Sequence, residues 1–492
     1  MKTYTTKYGL ITLRKNEIYI GNEFNNERYW YENTLIKLKK YINPTQNILE
    51  IGGHCGTSSI VYSSFLDNNS KVIVYEPQEN MYELLVENIN QNNLQNKIIP
   101  NKKGVFCYEG EGAMNDIDID GGCGNVLKRY TEEKHLPCNF GGLGLGFKGE
   151  KIQLTTIDNM NLENIGFIHC HAQGSENYIF SNSTNLILKY KPFILYRNVE
   201  KDKYLYENVS KAYPQYKNDS EFNIKNYCIE KLNYSFIDNF NNSVDILLIP
   251  PQNNFDKIIH ITRKEIDDKL LKSKQLWETL NPEYKIELYN DNKCVIFLKK
   301  YFGDKYVDIF NFIKDGPIKA DFFRACVLYI YGGIYVDADI VPFVSLNQYV
   351  DDDVELMTCI SYNYNDNQNT FCYNPQFIVS KKYSNEILKI IESYEQKYDD
   401  RDSKPYTYWS WSICNIFNKI YNFEVKIDND NVFILNNKKY KFIIEEIFDK
   451  NTSEIYNFIN FSENMDMLLK NKNLDMYCKF KGQNVLNNFN NK

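Results

Sequence analysis

The chain has 492 residues, which is more than one hydrophobic core usually serves, so its length predicts two domains. Its hydrophobic fraction of 43% and charged fraction of 25% are ordinary for a globular protein. The formal net charge of −7 argues against nucleic acid as the main partner, because phosphate binding needs a basic surface.

Membrane, export and disulfide signals are weak. No window reaches the roughly 18 uncharged apolar residues of a membrane span, and residues 1–24 hold no stretch apolar enough for a signal peptide. The 12 cysteines are scattered without a CxxC pair or disulfide-type spacing, which favours reduced, buried thiols. These features predict a cytoplasmic protein, and they leave its oligomeric state open.

The N-terminal half alternates short apolar runs with helical patterns from Asn47 onward. "NILEIGG" and "KVIVYE" predict strands, and "TSSIVYSSFL" and "ENMYELLVENINQNNL" predict helices. Strand–helix–strand units at this spacing predict a parallel sheet with right-handed crossovers. The glycine-rich stretch 104–149 predicts loops and hairpins, and strands resume at "KIQLTTID", "IGFIHCHAQ" and "FILYRNV".

The pattern restarts near "LLIPPQNNFDKIIHITR". Two prolines and two asparagines predict a linker, which a new apolar strand at 258–261 follows. We therefore predict two domains, residues 1–250 and residues 251–492. Strand "KIELYND", helices and strand "GGIYVDAD" complete the second pattern.

A glycine-rich turn, "LEIGGHCGTSS", joins the first predicted strand of the N-terminal half, "NILEIGG", to the helix that follows it. Its glycines let the backbone turn tightly and let a ligand approach the positive end of the helix dipole. Glu76 ends the next strand, about 20 residues on, where an acid can bind both hydroxyls of a ribose. The pattern predicts a cofactor that contains a nucleoside, and NAD would satisfy it too.

Residues 47–198 resemble the FkbM-type family of S-adenosylmethionine-dependent methyltransferases. The matching stretches are "LEIGGHCGTSS", "YEPQENMYELLVENI", "LTTIDNM" and "FIHCHAQGSE". The resemblance implies a Rossmann-like fold and O-methylation, often of a sugar hydroxyl. It also implies that Glu50, Gly52 and Gly56 shape the S-adenosylmethionine pocket and that Glu76 holds the ribose.

The chain departs from that family at "HCHAQGSE". His171 stands where the family usually has an aspartate. A histidine can accept a proton from a sugar hydroxyl near neutral pH, so His171 is the predicted catalytic base. The substitution is equally expected of a domain that no longer methylates and instead binds a glycan or a partner. His169 and His171 would also share a strand face that could hold a metal ion, although no third ligand has suitable spacing.

Two aspartates follow the apolar run in "YGGIYVDADI". Alternate side chains of a strand point the same way, so Asp337 and Asp339 project together from its carboxyl end, the ligand side of an open α/β sheet. Two such carboxylates repel unless a cation lies between them, and oxygen ligands suit Mg²⁺ or Mn²⁺. Residues 319–331 predict the preceding helix, in which Asp321 and Arg324 can pair at i, i+3.

The stretch "ADFFRACVLYIYGGIYVDADIVPF" resembles DXD-type glycosyltransferases, in particular glycosyltransferase family 32. "FDKIIHITR", "SKQLWETLNPEYKIELYND" and "NPQFIVSKK" agree with that family in order and spacing, so the resemblance covers residues 255–382. It implies a GT-A-like fold, a divalent metal, a nucleotide-sugar donor such as a UDP- or GDP-sugar, a glycan acceptor, and retention of anomeric configuration.

The same resemblance implies individual roles. Asp337 and Asp339 would bridge the metal and the diphosphate, and Asp321 and Arg324 would line the donor site. His260, at the end of the first strand of this half, is expected near the base pocket, with core packing as the alternative. Trp409 and Trp411 could stack on a sugar, but core packing is favoured for them.

These features together predict a two-domain α/β protein with an N-terminal Rossmann-like methyltransferase fold and a C-terminal GT-A-like fold. The predicted function is bifunctional: glycosyl transfer coupled to O-methylation of a sugar. The alternative is a glycosyltransferase whose N-terminal half is a non-catalytic glycan- or partner-binding module. A nicotinamide-dependent oxidoreductase fits less well, because it gives "EP" and "QGSE" no role.

Overall fold

The computed structural model describes most of the chain, with gaps. The described residues are 1–118, 120, 123–132, 136–251, 256–338, 340–342, 345–362, 371–409, 412–420, 431–435, 438–449, 455–456, 476–480 and 483–485. The predicted site residue Asp339 and the predicted core residue Trp411 lie outside them. The chain divides into two compact units, Met1–Pro251 and Gln252–Lys492. Both units are α/β, and the predicted fold class, Rossmann-like and then GT-A-like, is confirmed.

The first unit alternates strands and helices. Its strands are β1 (Lys2–Thr6), β2 (Gly9–Leu13), β3 (Asn47–Ile51), β4 (Val72–Tyr75), β5 (Ile98–Asn101), β6 (Gly104–Val105), β7 (Gly110–Met114), β8 (Ile117–Asp118), β9 (Gly124–Asn125), β10 (Leu145–Gly146), β11 (Lys151–Thr155), β12 (Ile165–Cys170), β13 (Phe193–Arg197), β14 (Ser235–Ile237) and β15 (Asp245–Ile249). Its helices are α1 (Tyr19–Asn25), α2 (Glu32–Leu38), α3 (Thr57–Phe65), α4 (Glu79–Gln91), α5 (Val126–Thr131), α6 (Glu176–Ser181), α7 (Thr184–Tyr190), α8 (Lys203–Ala212), α9 (Lys217–Ser220) and α10 (Ile224–Leu232).

The central sheet of this unit has the strand order β14-β15-β13-β12-β3-β4-β5. Neighbours from β13 to β5 are parallel, as the strand–helix–strand pattern predicts. By contrast, β15 runs antiparallel to β13, and β14 antiparallel to β15. Every residue of β12 is buried, which is typical of a central parallel strand.

One edge of this sheet collects the ends of several strands. Ile51, at the end of β3, is in register with Tyr75 of β4 and Cys170 of β12. Because β15 is antiparallel, its first residue, Asp245, pairs with the last residue of β13, Arg197. The carboxyl ends of four strands and the amino end of a fifth therefore meet there. The glycine-rich residues 104–149 include the β8–β9 hairpin and, with β11, the strands of a second sheet in the order β10-β7-β11-β6.

The second unit is also mixed. Its strands are β16 (Ile258–Thr262), β17 (Lys285–Tyr289), β18 (Gly333–Asp337), β19 (Ile340–Pro342), β20 (Val354–Tyr362), β21 (Phe371–Ser380), β22 (Asn431–Leu435), β23 (Lys438–Asp449), β24 (Ile455–Tyr456), β25 (Met476–Phe480) and β26 (Gln483–Val485). Its helices are α11 (Asp268–Leu280), α12 (Asp291–Tyr301), α13 (Asp304–Phe312), α14 (Gly316–Tyr331), α15 (Asn385–Asp399) and α16 (Ser412–Ile420).

The main sheet of the second unit runs β17-β16-β18-β21-β20-β23-β22. Strand β16 is parallel to β17 and β18, and Thr262 at its end is in register with Asp337. Helix α14 begins three residues before the predicted start and is buried from Phe322 to Ile330 on all sides, not only along one stripe. It ends at Tyr331. The next residue, Gly332, has φ +64°, and a Cβ there would lie 2.8 Å from the backbone nitrogen of Lys382, so the turn into β18 requires glycine.

Two further sequence expectations concern helices and thiols. Among the described residues, none of the helices combines the length and the apolarity that crossing a membrane would require. The cysteines whose side chains are described are buried thiols, as predicted.

Candidate functional site

A cavity of about 440 Å³ lies at the strand-end edge of the first unit. Three predicted site residues line it: Gly52, Glu76 and His171. Two others, Glu50 and Gly56, lie behind the glycine turn and not in the cavity wall. Strand β3, strand β4 and the segment after β12 therefore converge on one cleft, as the sequence predicts for a nucleoside cofactor.

Two glycines of the turn are required by its geometry. Gly52 has φ +85°, and a Cβ there would lie 2.1 Å from the carbonyl oxygen of His171. Gly56 has φ +88°, and a Cβ would lie 2.7 Å from Cδ1 of Leu85. Glycine at these positions lets the turn pack against the segment that carries His171 and against α4.

Glu76 is oriented by backbone amides. One carboxylate oxygen accepts the N–H of His54 at 2.8 Å, and the other accepts the N–H of Gln78 at 2.9 Å. Its side chain is buried, and burial raises the pKa of Glu76 to about 7 against these two donors. The remaining lone pairs can accept hydrogen bonds from a pair of ribose hydroxyls.

Glu50 has a structural partner. Its Oε2 accepts from the hydroxyl of Ser59 on α3 at 2.5 Å, and its Oε1 lies 3.8 Å from Nδ1 of His169. The side chain is 2% exposed, and burial raises its pKa to about 8. Glu50 thus contacts both α3 and β12 and supports the cavity from behind. It does not lie where it could touch a ligand in the cavity.

His171 lies in the cavity wall and is held by a buried carboxylate. Its Nε2 lies 3.0 Å from Oδ1 of Asp245, the first residue of β15. The other oxygen of Asp245 accepts from the hydroxyls of Tyr31 and Ser243. Burial alone would raise the pKa of Asp245, but His171 and these two hydroxyls hold it well below its usual range. Asp245 is therefore ionised.

The sequence analysis left open a metal site at His169 and His171, and the described residues supply no third ligand for it. The two rings have centroids 4.5 Å apart, and the Nδ1 of His169 is 3.1 Å from the hydroxyl of Tyr62. Burial and the neighbouring His171 lower the pKa of His169, so it is neutral. No group of three histidine, cysteine or acidic side chains is placed to hold a metal ion in the part of the chain that the structure describes.

A second cavity, of about 690 Å³, lies in the second unit where β16 and β18 end. Asp337 and Arg324, two of the residues predicted for the donor site, line it, whereas Asp321 does not. Cationic side chains outnumber acidic ones five to two: Arg263, Lys264, Lys314, Lys319 and Arg324 against Asp291 and Asp337. Such a lining favours an anionic ligand.

Arg324 joins the two halves of the predicted motif. Its guanidinium is 2.9 Å from Oδ1 of Asp321 and 2.9 Å from Oδ1 of Asp337, and it also donates to the carbonyl of Pro375. The side chain is 3% exposed and lies over the ring of Tyr335 at 4.4 Å. Within the described residues, the cationic group that contacts Asp337 is therefore the guanidinium of Arg324.

His260 lies in the core, which is the alternative that the sequence left open. It is fully buried, its Nδ1 is 3.2 Å from the hydroxyl of Tyr289, and its Nε2 is 3.0 Å from the carbonyl of Gly332. It is not in the wall of the described cavity, and burial lowers its pKa to about 4. Trp409, 2% exposed and packed 5.4 Å from Phe312, is likewise a core residue.

Part of the second unit is similar in sequence to known glycosyltransferases. Residues 267–356 match the family described as a glycosyltransferase sugar-binding region containing a DXD motif. A stretch of 94 residues, 19% of this chain, is 28% identical to the initiation-specific alpha-1,6-mannosyltransferase of Candida albicans and covers 24% of it. The chain spans about a quarter of the length of the curated relatives it matches.

Two solved structures resemble parts of the fold. The PaToxG glycosyltransferase aligns over 35% of this chain and 71% of its own, with a TM-score of 0.27 and 17% identity. The methyltransferase FkbM from Methylobacillus flagellatus aligns over 42% of this chain and 44% of its own, with a TM-score of 0.27 and 11% identity.

Proposed function

We propose that the protein is a bifunctional glycan-building enzyme. Its second unit would transfer a sugar from a UDP- or GDP-sugar to a glycan acceptor with retention of configuration, and its first unit would O-methylate a sugar hydroxyl with S-adenosylmethionine. The observation that supports the first activity is the cationic cavity around Asp337 and Arg324 inside the matched region 267–356. The observation that supports the second is His171, held by Asp245 in the wall of the nucleoside-type cleft.

The donor cavity suits a diphosphate. Its excess of lysine and arginine supplies charge-assisted hydrogen bonds to phosphate oxygens. Among the described residues, the carboxylates of Asp321 and Asp337 share one guanidinium, that of Arg324, which leaves one formal negative charge. The sequence adds a further carboxylate, Asp339, two residues after Asp337. That balance fits one Mg²⁺ or Mn²⁺ held by Asp337, Asp339 and the diphosphate. The ion would supply Lewis-acid stabilisation of the leaving diphosphate.

Hydrolysis of nucleotide sugars, tested donor by donor with Mn²⁺, measures this activity without a known acceptor. We expect Asp337→Asn to abolish it, because one ligand of the metal is lost. The matched control is Asp353→Asn, since Asp353 also lies in the matched region but is 71% exposed and pairs with Lys439. Equal losses in both variants, or full activity in EDTA, would contradict the proposal.

The first cavity has the features that S-adenosylmethionine needs. Burial lowers the pKa of His54 to about 4, so its neutral ring offers one donor and one acceptor. Both ring nitrogens are buried, and neither has a hydrogen-bond partner among the described residues. Since unpaired buried polar atoms are costly, a polar ligand is expected beside them. The cofactor would be held by Glu76, Gly52 and His54. When bound, it would supply a methyl group carried on a sulfonium.

The acceptor side of the same cavity suits a sugar. Tyr19, Trp30 and Tyr31 line it, and aromatic faces pack well against the C–H face of a sugar ring. In this proposal His171 would take the proton of the sugar hydroxyl as that oxygen is methylated. Calorimetric titration with S-adenosylmethionine tests the cofactor. Failure to bind at millimolar concentration would contradict methyl transfer and leave only the glycosyltransferase.

A non-catalytic first unit is the second candidate. The replacement of the family's aspartate by His171 favours it, whereas the pairing of His171 with an ionised, buried Asp245 favours catalysis. The two candidates differ in one result. If the cofactor binds, no sugar acceptor is methylated, and His171→Asp creates an activity that the wild type lacks, then the binding module is correct.

A further inference from the structure

We infer that Asp245 and His171 form a catalytic dyad, in which Asp245 is a positioning residue that fixes the tautomer of His171 so that its Nδ1 can deprotonate an alcohol of the acceptor. The inference rests on the proposed methyl transfer and adds to it the positioning role of Asp245. An unactivated sugar hydroxyl needs a base to remove its proton during attack, whereas an acceptor that is already ionised does not.

The hydrogen bonds of Asp245 determine which nitrogen of His171 carries the proton. An ionised carboxylate only accepts hydrogen bonds, so the Nε2 of His171 at 3.0 Å must be the donor. The second oxygen of Asp245 is already occupied by the hydroxyls of Tyr31 and Ser243, which prevents the carboxylate from turning away. Neutral His171 is therefore protonated on Nε2, and Nδ1 holds the lone pair.

The carboxylate of Asp245 is buried beside the ring of His171. The side chain of Asp245 is 3% exposed, whereas that of His171 is 29% exposed and lies in the cavity wall. A buried negative charge beside Nε2 stabilises the imidazolium that forms when Nδ1 gains a proton. The partly exposed ring can then pass that proton to solvent.

Asp245 is the ionised group that contacts the ring of His171, and four other titratable groups lie around that ring. They are His169 on β12, Tyr31 before α2, Glu176 on α6 and Arg197 on β13. His169 is neutral because burial lowers its pKa, and Tyr31 keeps its proton because burial and Asp245 raise its pKa. Arg197 is itself paired with Asp120 and Asp202.

Glu176 acts on the backbone beside His171. Its two oxygens accept the N–H groups of Ala172 at 2.9 Å and Gly174 at 3.0 Å. These bonds fix the turn that follows β12. The ring of His171 therefore sits on a braced segment, with Asp245 on one side.

The reaction balances with these groups alone and the methyl donor. The acceptor oxygen forms its bond to the methyl carbon as its proton moves to Nδ1 of His171. The bond between that carbon and sulfur breaks, and its electron pair stays on the sulfur of the thioether product. The proton then leaves His171 for solvent, which restores the neutral Nε2–H tautomer.

Asp245→Asn in the full chain tests the dyad. An asparagine oxygen can still accept from Nε2–H, but its NH₂ group can instead donate to Nε2 and favour the Nδ1–H tautomer, in which Nδ1 has no free lone pair. We expect kcat for methyl transfer to fall by roughly 10²–10⁴-fold, while the Kd for S-adenosylmethionine changes less than about threefold. Asp238→Asn is the matched control, because Asp238 is half exposed and pairs only loosely with Lys225 at 3.8 Å.

Nitrogen-15 NMR of the histidine rings reads the tautomer without any acceptor. The chain has five histidines, so the spectrum of His171→Gln assigns the signals of His171 by difference. We expect Nε2–H in the wild type and in Asp238→Asn, and Nδ1–H in a substantial share of Asp245→Asn. An unchanged tautomer in Asp245→Asn, or methyl transfer within tenfold of wild type, would overturn the dyad.

The two readouts separate this inference from the proposed function. If Asp245→Asn switches the tautomer but no acceptor is methylated by the wild type, the pairing stands and methyl transfer fails. If a sugar is methylated at equal rates by the wild type and Asp245→Asn, the proposed function stands and the dyad fails. A folded state common to all variants, checked by their thermal unfolding, excludes a general loss of structure.

Discussion

Replacement of Glu76 by glutamine tests the cofactor cleft most directly. Glutamine keeps the size of the side chain, but it exchanges one of the two acceptor oxygens for an NH₂ group, which opposes either the N–H of His54 or that of Gln78. It also removes the charge that strengthens hydrogen bonds from ribose hydroxyls. A charge-assisted bond contributes about 1.5–3 kcal/mol, so we expect Kd for S-adenosylmethionine to rise by roughly 10–150-fold.

The pKa of Glu76 gives the same experiment a second readout. Burial raises that pKa to about 7 in the free protein, and hydroxyl donors from a ribose favour the ionised form, so the pKa falls on binding. Binding therefore releases a proton below about pH 7, and affinity rises with pH and then levels. One unit below this pKa only about a tenth of the Glu76 carboxyl is ionised, and one unit above it most of the carboxyl is ionised. The Kd near pH 6 should therefore be about tenfold higher than the Kd near pH 8.

Isothermal titration calorimetry at both pH values measures these effects. The control is Glu79→Gln, because Glu79 lies three residues on, is half exposed, and pairs with Lys102 instead of lining the cleft. Its affinity and pH dependence should match those of the wild type. If Glu76→Gln binds within twofold of wild type, or if wild-type affinity is flat between these pH values, the assignment of Glu76 to the ribose is wrong.

Three other predictions concern stability and domain structure. Arg324→Met leaves Asp321 and Asp337 without their shared partner and should lower the free energy of unfolding of the second unit by about 3–5 kcal/mol in urea titrations, whereas Asp353→Asn should change it little. Gly52→Ala forces a Cβ to 2.1 Å from the carbonyl of His171, so we expect a loss of more than about 1 kcal/mol and weaker cofactor binding. Cutting near Pro251 should yield two pieces that each fold, which two separate unfolding transitions would reveal and insolubility of both would contradict.

Local patterns in the sequence located much of both sites. The glycine turn and the acid at the end of the next strand follow from β–α–β spacing, and the structure lines one cavity with Gly52 and Glu76. The i, i+3 spacing on a helix likewise predicts the contact between Asp321 and Arg324, which the structure contains at 2.9 Å. These features depend on neighbours within one or two elements, so periodicity and turn chemistry are sufficient to find them.

Strand patterns were less informative about which side of a sheet a residue faces. The alternation of β3 placed Glu50 correctly in a strand, but its carboxyl meets Ser59 on α3 and not the cavity. The sequence analysis placed His260 at the end of a strand, yet it is the middle residue of β16, and both its nitrogens bond within the core. Alternation predicts two faces, whereas the packing of helices on the sheet decides which of them a ligand can reach.

Asp245 is the residue that only the tertiary structure could assign. It lies 74 residues beyond His171, at the start of an apolar run that the sequence indicated only as the approach to a linker. Because β15 inserts antiparallel beside β13, its first residue arrives at the edge where the parallel strands end. Because this strand is antiparallel to β13, its amino end lies at the site, whereas the parallel strands bring their carboxyl ends there. The apolar run and its acid are visible in the sequence, whereas sheet topology decided that this run forms β15 and that Asp245 supports His171.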